Sequence, residues 1–261
     1  MSKRGLAWPW DHPTSLFTSH FSTHSPARIS WLFNWELWRP QNLPKEVQWV
    51  PCLRTAAQIN DLEPFLTDIK RNFEVEYLLG FNEPEISDQA NLSVDEAVKL
   101  WREKVLPVKN KLGLKLGSPG MSSDPARALP WLDLFFEKLG GPKGAEVEFL
   151  VLHWYGTEIE EMKKKWLSMM HERYGLPVWV NEWACSRMGQ GRSSEEEVET
   201  FVREGCRWMD ETEWLQQYSY FGLGQGRTVG EWVGEGSNFL DKSGGEGKEV
   251  LTRVGKVYCE C

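Results

Sequence analysis

Two glutamates stand apart from the rest by position. Glu83 and Glu182 each close an apolar run and each follow an asparagine, in Tyr77-Leu-Leu-Gly-Phe-Asn-Glu-Pro and Pro177-Val-Trp-Val-Asn-Glu-Trp. A carboxylate ending an apolar run is costly unless it is paired, solvated or put to use. Two brought together could protonate a leaving oxygen and attack, or activate water, at one carbon, which is what cleaving a glycosidic bond requires. The plain alternative makes them two of the 38 acidic side chains on solvated loops. That suits a lone strand-end glutamate better than two sharing an Asn-Glu context. Glu85 and Glu36 also sit near strand ends, but neither has an opposed partner of its own kind.

The elements that must position this pair read as alternating strands and helices. Apolar runs predict strands at Gly5–Trp8, Ile29–Asn34, Gln48–Leu53, Tyr77–Asn82, Lys115–Ser118, Val147–Tyr155, Val178–Glu182 and Gln217–Phe221. Amphipathic patterns predict helices at Gln58–Arg71, Val94–Lys111, Pro130–Leu139, Glu158–Tyr174 and Ser194–Asp210. Capping boxes stand at Ser93-x-x-Glu96 and at Ser193 or Ser194 with Glu196 or Glu197. The first two connections carry no clear helical pattern. Eight strands with intervening helices predict an α/β fold, a single (β/α)8 TIM barrel, with one domain over residues 1–261. No G-x-G-x-x-G follows the first strand, so no dinucleotide cofactor is expected.

Chemistry in such a barrel gathers where strands end and βα loops begin. Those ends carry Trp8, Asn34 and Trp35, Asn82 and Glu83, Ser118, His153 to Tyr155, and Asn181 to Trp183. Strand alternation puts Leu79, Phe81 and Glu83 on one face, and likewise Val178, Val180 and Glu182, so that both glutamates aim inward from strands four and seven. His153 and Tyr155 share a face of strand six, where a satisfied core histidine is the alternative reading for His153.

Tryptophan is abundant, at 15 residues. Trp8, Trp10, Trp35, Trp154 and Trp183 lie at or just past strand ends and are candidate platforms for sugar faces. Trp101, Trp131, Trp166, Trp208 and Trp214 fall in or beside helices and read as packing. His20 and His24 have the i, i+4 spacing of a metal pair, with His12 upstream, but the segment reads as a loop with no carboxylate to complete a ligand set, so no metal is expected. Asn91-Leu-Ser93 is a glycosylation sequon that coincides with a cap, which favours a structural role. The five cysteines are too irregular for a disulfide or zinc framework and read as small buried hydrophobes with a loose tail.

The bulk composition narrows the partners. A net charge of -8 with no basic run argues against nucleic acid. No stretch approaches the ~20 apolar residues that cross a bilayer, and the segment from Met1 to Pro13 lacks the apolar core of a signal peptide. The expectation is a monomer without membrane or nucleic-acid partners.

The segments Gly80-Phe-Asn-Glu-Pro-Glu, Gln89-Ala-Asn-Leu-Ser, Leu152-His-Trp-Tyr-Gly and Val180-Asn-Glu-Trp-Ala-Cys, in that order, resemble those of glycoside hydrolase family 128, β-1,3-glucanases related to the alkali-sensitive linkage proteins of fungal cell walls. The likeness runs from Arg4-Gly-Leu-Ala-Trp to the eighth strand. It implies a retaining mechanism with Glu83 as general acid/base and Glu182 as nucleophile. It also implies a sugar-binding role for Asn82, with Tyr155 orienting the nucleophile and His153 bonding substrate hydroxyls; Asn34 and Trp35 are further candidates for sugar contact from their strand-end position alone. The implied substrate is β-1,3-glucan or laminari-oligosaccharides, and the implied location is extracellular or at the cell wall. This chain departs from the pattern at Asn181, where many relatives carry Thr, and at Phe221, where Trp is common. The Gly-rich stretch from Gly222 to Gly247 is expected to wall one end of a groove. Endo or exo action stays open. So do two alternatives: a glucan-binding barrel with weak or no turnover, and a hydrolase of another glycan such as mannan or cellulose.

Overall fold

The computed structural model describes residues 2–21, 29–223, 232–241, 243–245 and 247–260. Eight parallel strands form its centre: β1 (Arg4–Ala7), β2 (Ile29–Phe33), β3 (Gln48–Val50), β4 (Tyr77–Leu78), β5 (Lys115–Met121), β6 (Phe149–Gly156), β7 (Val178–Cys185) and β8 (Leu215–Tyr220). They pair in the order β3-β2-β1-β8-β7-β6-β5-β4. The remaining gap between β3 and β4 is spanned just beyond the strand ends, where Cys52 bridges Leu79 in parallel. Leu79 N–H donates to Pro51 O at 2.9 Å, and Leu53 N–H donates to Leu79 O at 3.0 Å. The sheet thus closes into a (β/α)8 barrel, as the alternation of patterns predicts.

Helices follow β3 (Leu62–Ile69), β4 (residues 94–112), β5 (Pro125–Leu139), β6 (residues 161–174), β7 (Glu195–Glu211) and β8 (Arg253–Glu260). Among the described residues, a short helical turn, Phe17–Phe21, is the only helix that follows β1, and none lies between β2 and β3. The starts are chemically marked. Ser93 accepts from Glu96 N–H, and Ser194 and Glu197 form a reciprocal capping box. The last helix is absent from the sequence expectation although Val254, Val257 and Tyr258 give it a buried stripe.

Two apolar layers fix the barrel. Inside it, Ala7, Trp31, Phe33, Val50, Leu79, Phe149, Val151 and Trp179 form one cluster. Trp179 stacks on Phe149 at 4.3 Å and meets Trp31 at 5.4 Å. Rings of this size remove about 150–250 Å² each from water. They need a gap on the neighbouring strand, and Gly5 supplies one: a Cβ there would lie 2.2 Å from the Trp31 ring. The larger outer cluster packs strands against helices and takes in Trp8, Trp101, Trp154, Trp166 and Trp183. Arg4, 1% exposed, is neutralised at the N-terminal end of the barrel by Asp210 at 2.6 Å, with Tyr218 OH as a further partner of its Nε. Cys52, Cys185, Cys206 and Cys259 are buried, while Cys261 lies outside the described residues.

Candidate active site

Strict alternation does not carry the two glutamates inward. Val178 and Val180 belong to the outer cluster and Trp179 to the inner one, so an unbroken strand would turn position 182 toward the helices. The ladder changes step instead. Val151 pairs with Trp179 but His153 with Glu182, and on the other side Val180 pairs with Tyr218 but Trp183 with Tyr220. In both ladders β7 carries one residue more than its neighbour. This is a β-bulge around Asn181, and it re-aims Glu182 into the mouth. Ser219 Oγ donates to the Asn181 carbonyl. The expected shared face of Val178, Val180 and Glu182 is therefore corrected.

The same holds on β4. Leu79 is inner, but Phe81 packs outward on Trp101 at 6.1 Å. Glu83 is then turned by a left-handed backbone (φ 45°) directly before Pro84, a conformation that a non-glycine residue adopts at a cost and that clusters at functional sites. Glu83 N–H donates to Gly120 O at 2.7 Å. Gly120 serves the site twice, because a Cβ there would stand 3.1 Å from His153 Nε2.

The two carboxyls meet on one imidazole. His153, buried on β6, donates from Nδ1 to Glu83 Oε1 at 2.7 Å, and its Nε2 faces Glu182 Oε1 at 3.6 Å. Burial opposes charge on this ring, yet the Glu182 charge together with the bond to Glu83 outweighs it and pushes the pKa up to about 9. Glu182 is 6% exposed. Its Oε1 accepts from Trp35 Nε1 at 2.6 Å and its Oε2 from Tyr155 OH at 2.7 Å. Burial pushes the Glu182 carboxyl upward, with His153 opposing and Glu83 adding to the push. The Tyr155 hydroxyl is held far above its ordinary range, first by burial and then by Glu182, so it remains a donor.

The other predicted site residues separate. Asn82 bonds Gln89 at 3.3 Å, which ties the first two motif segments together. Asn34 is committed to structure: its Nδ2 donates to Trp38 O and its Oδ1 accepts from Trp49 Nε1, so it is not open to a sugar. Trp8 and Trp183 are fully buried and Trp154 nearly so. Trp8 packs on Phe17 and Phe21, and Trp183 on Phe201. As platforms these three are corrected, because each points to the helix layer. Trp10 is 66% exposed. Trp38 and Trp232, on the loops after β2 and β8, are also exposed and were not among the expected platforms. Glu85 Oε1 accepts from Ser122 N–H, and Glu36 is tied to Gln58 and Arg54.

Among the described residues no three His, Cys, Asp or Glu side chains gather as metal ligands. His20 lies in the Phe17–Phe21 turn, and His24 lies outside the described residues. Much of the Gly222 to Gly247 stretch also lies outside them; within it Leu240–Asp241 pairs with Val250–Leu251 just past its end.

Two glutamates converging at the C-terminal mouth of a (β/α)8 barrel define a class, the barrel glycoside hydrolases. The chain belongs to the glycosyl hydrolase catalytic core family, whose model matches residues 5–258. The likeness to glycoside hydrolase family 128 is borne out. The exo-β-1,3-glucanase of subgroup VI from Aureobasidium namibiae is 25% identical, with TM-score 0.82 over 99% of this chain and 96% of that one. Alkali-sensitive linkage protein 1 of Schizosaccharomyces pombe is 26% identical over 98% of this chain, which spans 44% of that relative's length. The fold is also that of an oligosaccharide-binding protein of subgroup VII from Cryptococcus neoformans, 21% identical with TM-score 0.73 over 99% of this chain and 92% of that one.

Proposed function

We propose that residues 1–261 form one catalytic domain that hydrolyses β-1,3-glucan, or its laminari-oligosaccharides, with retention at the anomeric carbon. Glu182 is the nucleophile and Glu83 the general acid/base. The observation that carries this reading is the shared imidazole: one ring touches Glu83 and faces Glu182 at the barrel mouth.

In the first step Glu83 gives a proton to the leaving oxygen as a Glu182 oxygen attacks the anomeric carbon, forming a glycosyl ester. His153 Nδ1 donates to Glu83 Oε1 at 2.7 Å and so holds the acid/base in place. In the second step Glu83 takes a proton from water, whose oxygen displaces Glu182 and restores the free carboxylate. The exposed faces of Trp10, Trp38 and Trp232 are the surfaces on which glucose rings stack.

A glucan-binding barrel without turnover is the second reading, favoured by the oligosaccharide-binding protein that shares the fold. Product analysis on laminarin and laminari-oligosaccharides separates the two. Released sugar supports the hydrolase and its ladder of lengths tells endo from exo, whereas binding without products supports the second reading.

A further inference from the structure

Trp35 has the residue type of a sugar platform, but its polar edge is already engaged. Its Nε1 lies 2.6 Å from Glu182 Oε1. Its ring packs on Phe33 at 4.6 Å and meets the Phe221 edge at 5.7 Å. Phe221 in turn meets Tyr155 at 5.9 Å, and Tyr155 OH holds the other Glu182 oxygen. One phenyl ring therefore wedges apart the two side chains that grip the carboxyl. Trp35 also has a left-handed backbone (φ 56°), which a bulky residue adopts at a cost and keeps only where its surroundings demand it.

Resting on the hydrolase reading above, we infer that Trp35 is a positioning residue for the nucleophile, its indole N–H fixing the rotation of the Glu182 carboxyl opposite the Tyr155 hydroxyl. The chemistry favours such a donor. As the glycosyl ester forms, negative charge leaves Glu182, so a cation bonded to it would stabilise the starting carboxylate most and raise the barrier. A neutral N–H orients the carboxylate with less opposition. His153, the cation of the site, stands off from Glu182 at 3.6 Å and bonds Glu83 instead.

Trp35→Phe keeps a ring and deletes the N–H. The expected result on laminari-oligosaccharides is a kcat lower by roughly tenfold to hundredfold with KM within about threefold. The acid limb of kcat/KM moves to higher pH, because a lost bond to the ionised form makes Glu182 harder to ionise. The groups facing Glu182 from the other elements, Glu83, Cys52, His153 and Tyr155, are unchanged in the variant. A sugar platform would give the reverse, a raised KM and an unmoved acid limb.

The second readout is the indole ¹⁵N–¹H signal of Trp35, identified by its disappearance in Trp35→Phe. It should move with pH in the wild type and lose that movement in Glu182→Gln, a comparison that stands even if Trp35→Phe fails to fold, with the signal then assigned by sequential methods. An active Trp35→Phe enzyme with an unmoved acid limb overturns the inference, as does an indole signal that titrates alike in wild type and Glu182→Gln. If the wild type releases no sugar from any β-1,3-glucan, the hydrolase reading fails, and the indole titration still decides whether Trp35 and Glu182 are linked.

Discussion

His153 stands opposite Glu182 in the β6–β7 ladder, one residue out of step with the Val151–Trp179 pair beneath it. The extra residue in β7 lets Trp179 fill the barrel while Glu182, an odd number of positions further on, also points inward. The bulge therefore lets one strand supply both the plug beneath the site and the carboxyl above it.

Glu182→Gln should lower turnover of laminarin by several orders of magnitude while laminari-oligosaccharides still bind, since the amide keeps the shape and cannot form the ester. Initial rates and calorimetric titration check this together. A variant with most of its activity intact would remove Glu182 from the reaction.

Glu83→Ala should lose activity on laminarin yet recover much of it on aryl glucosides with good leaving groups, which need little protonation to depart. Equal losses on both substrates would argue against an acid role. The Glu83–His153 bond disappears in this variant, so the His153 ring also loses one of the two carboxylates that hold its proton.

What was legible in the sequence follows from how each signal arises. The eight strands show as apolar runs because a parallel barrel buries both strand faces, and the Asn-Glu pair shows because a carboxylate ending such a run is unusual. The bulge at Asn181 does not show, since β7 is buried on both faces and offers no in-out alternation whose break would mark an extra residue. Trp154 and Trp183 were separable in principle. Each adjoins an inward residue, His153 or Glu182, and so must face the helices. The roles of Trp35 and Asn34 depend on hydrogen bonds across strands, to Glu182 and to Trp49, which no local pattern encodes.

His153 should make folding depend on alkaline pH. Burial alone would lower its pKa, but Glu182 and Glu83 raise it to about 9 in the folded protein, against about 6.5 unfolded. The folded state thus holds the proton more tightly. The resulting stabilisation is present in full below about 6.5 and disappears as pH rises through about 9. Thermal midpoints measured from pH 6 to pH 10 should fall in the wild type and fall less in His153→Gln. Parallel curves would show that the ring carries no such linkage.

The tryptophans should divide by burial. Trp8→Ala empties a packed site between Phe17 and Phe21 and should cost about 3–5 kcal/mol of stability. Trp10→Ala, at a residue 66% exposed, should change stability by about 0.5 kcal/mol or less and weaken oligosaccharide binding instead. Denaturant unfolding and binding titrations on both variants distinguish packing from platform. A destabilised Trp10→Ala with unchanged binding would take Trp10 off the sugar path.

The stereochemistry of the first product tests the mechanism most directly, because it depends on whether water fits between the carboxyls. Retention requires the nucleophile to reach the anomeric carbon itself, with the two carboxyls about 5–5.5 Å apart. Inversion needs about 6.5–9.5 Å to admit a water. The grip on Glu182 bears on the outcome. With Trp35 on Oε1 and Tyr155 on Oε2, its carboxyl is oriented by neutral donors and keeps further lone pairs for attack, whereas an inverting base would need an open oxygen facing a bound water. Proton NMR of laminari-oligosaccharide hydrolysis, recorded before mutarotation, should therefore show the β-anomer of the new reducing end first. Early appearance of the α-anomer would keep the hydrolase but remove the glycosyl ester, and Glu182 would then act as a base on water.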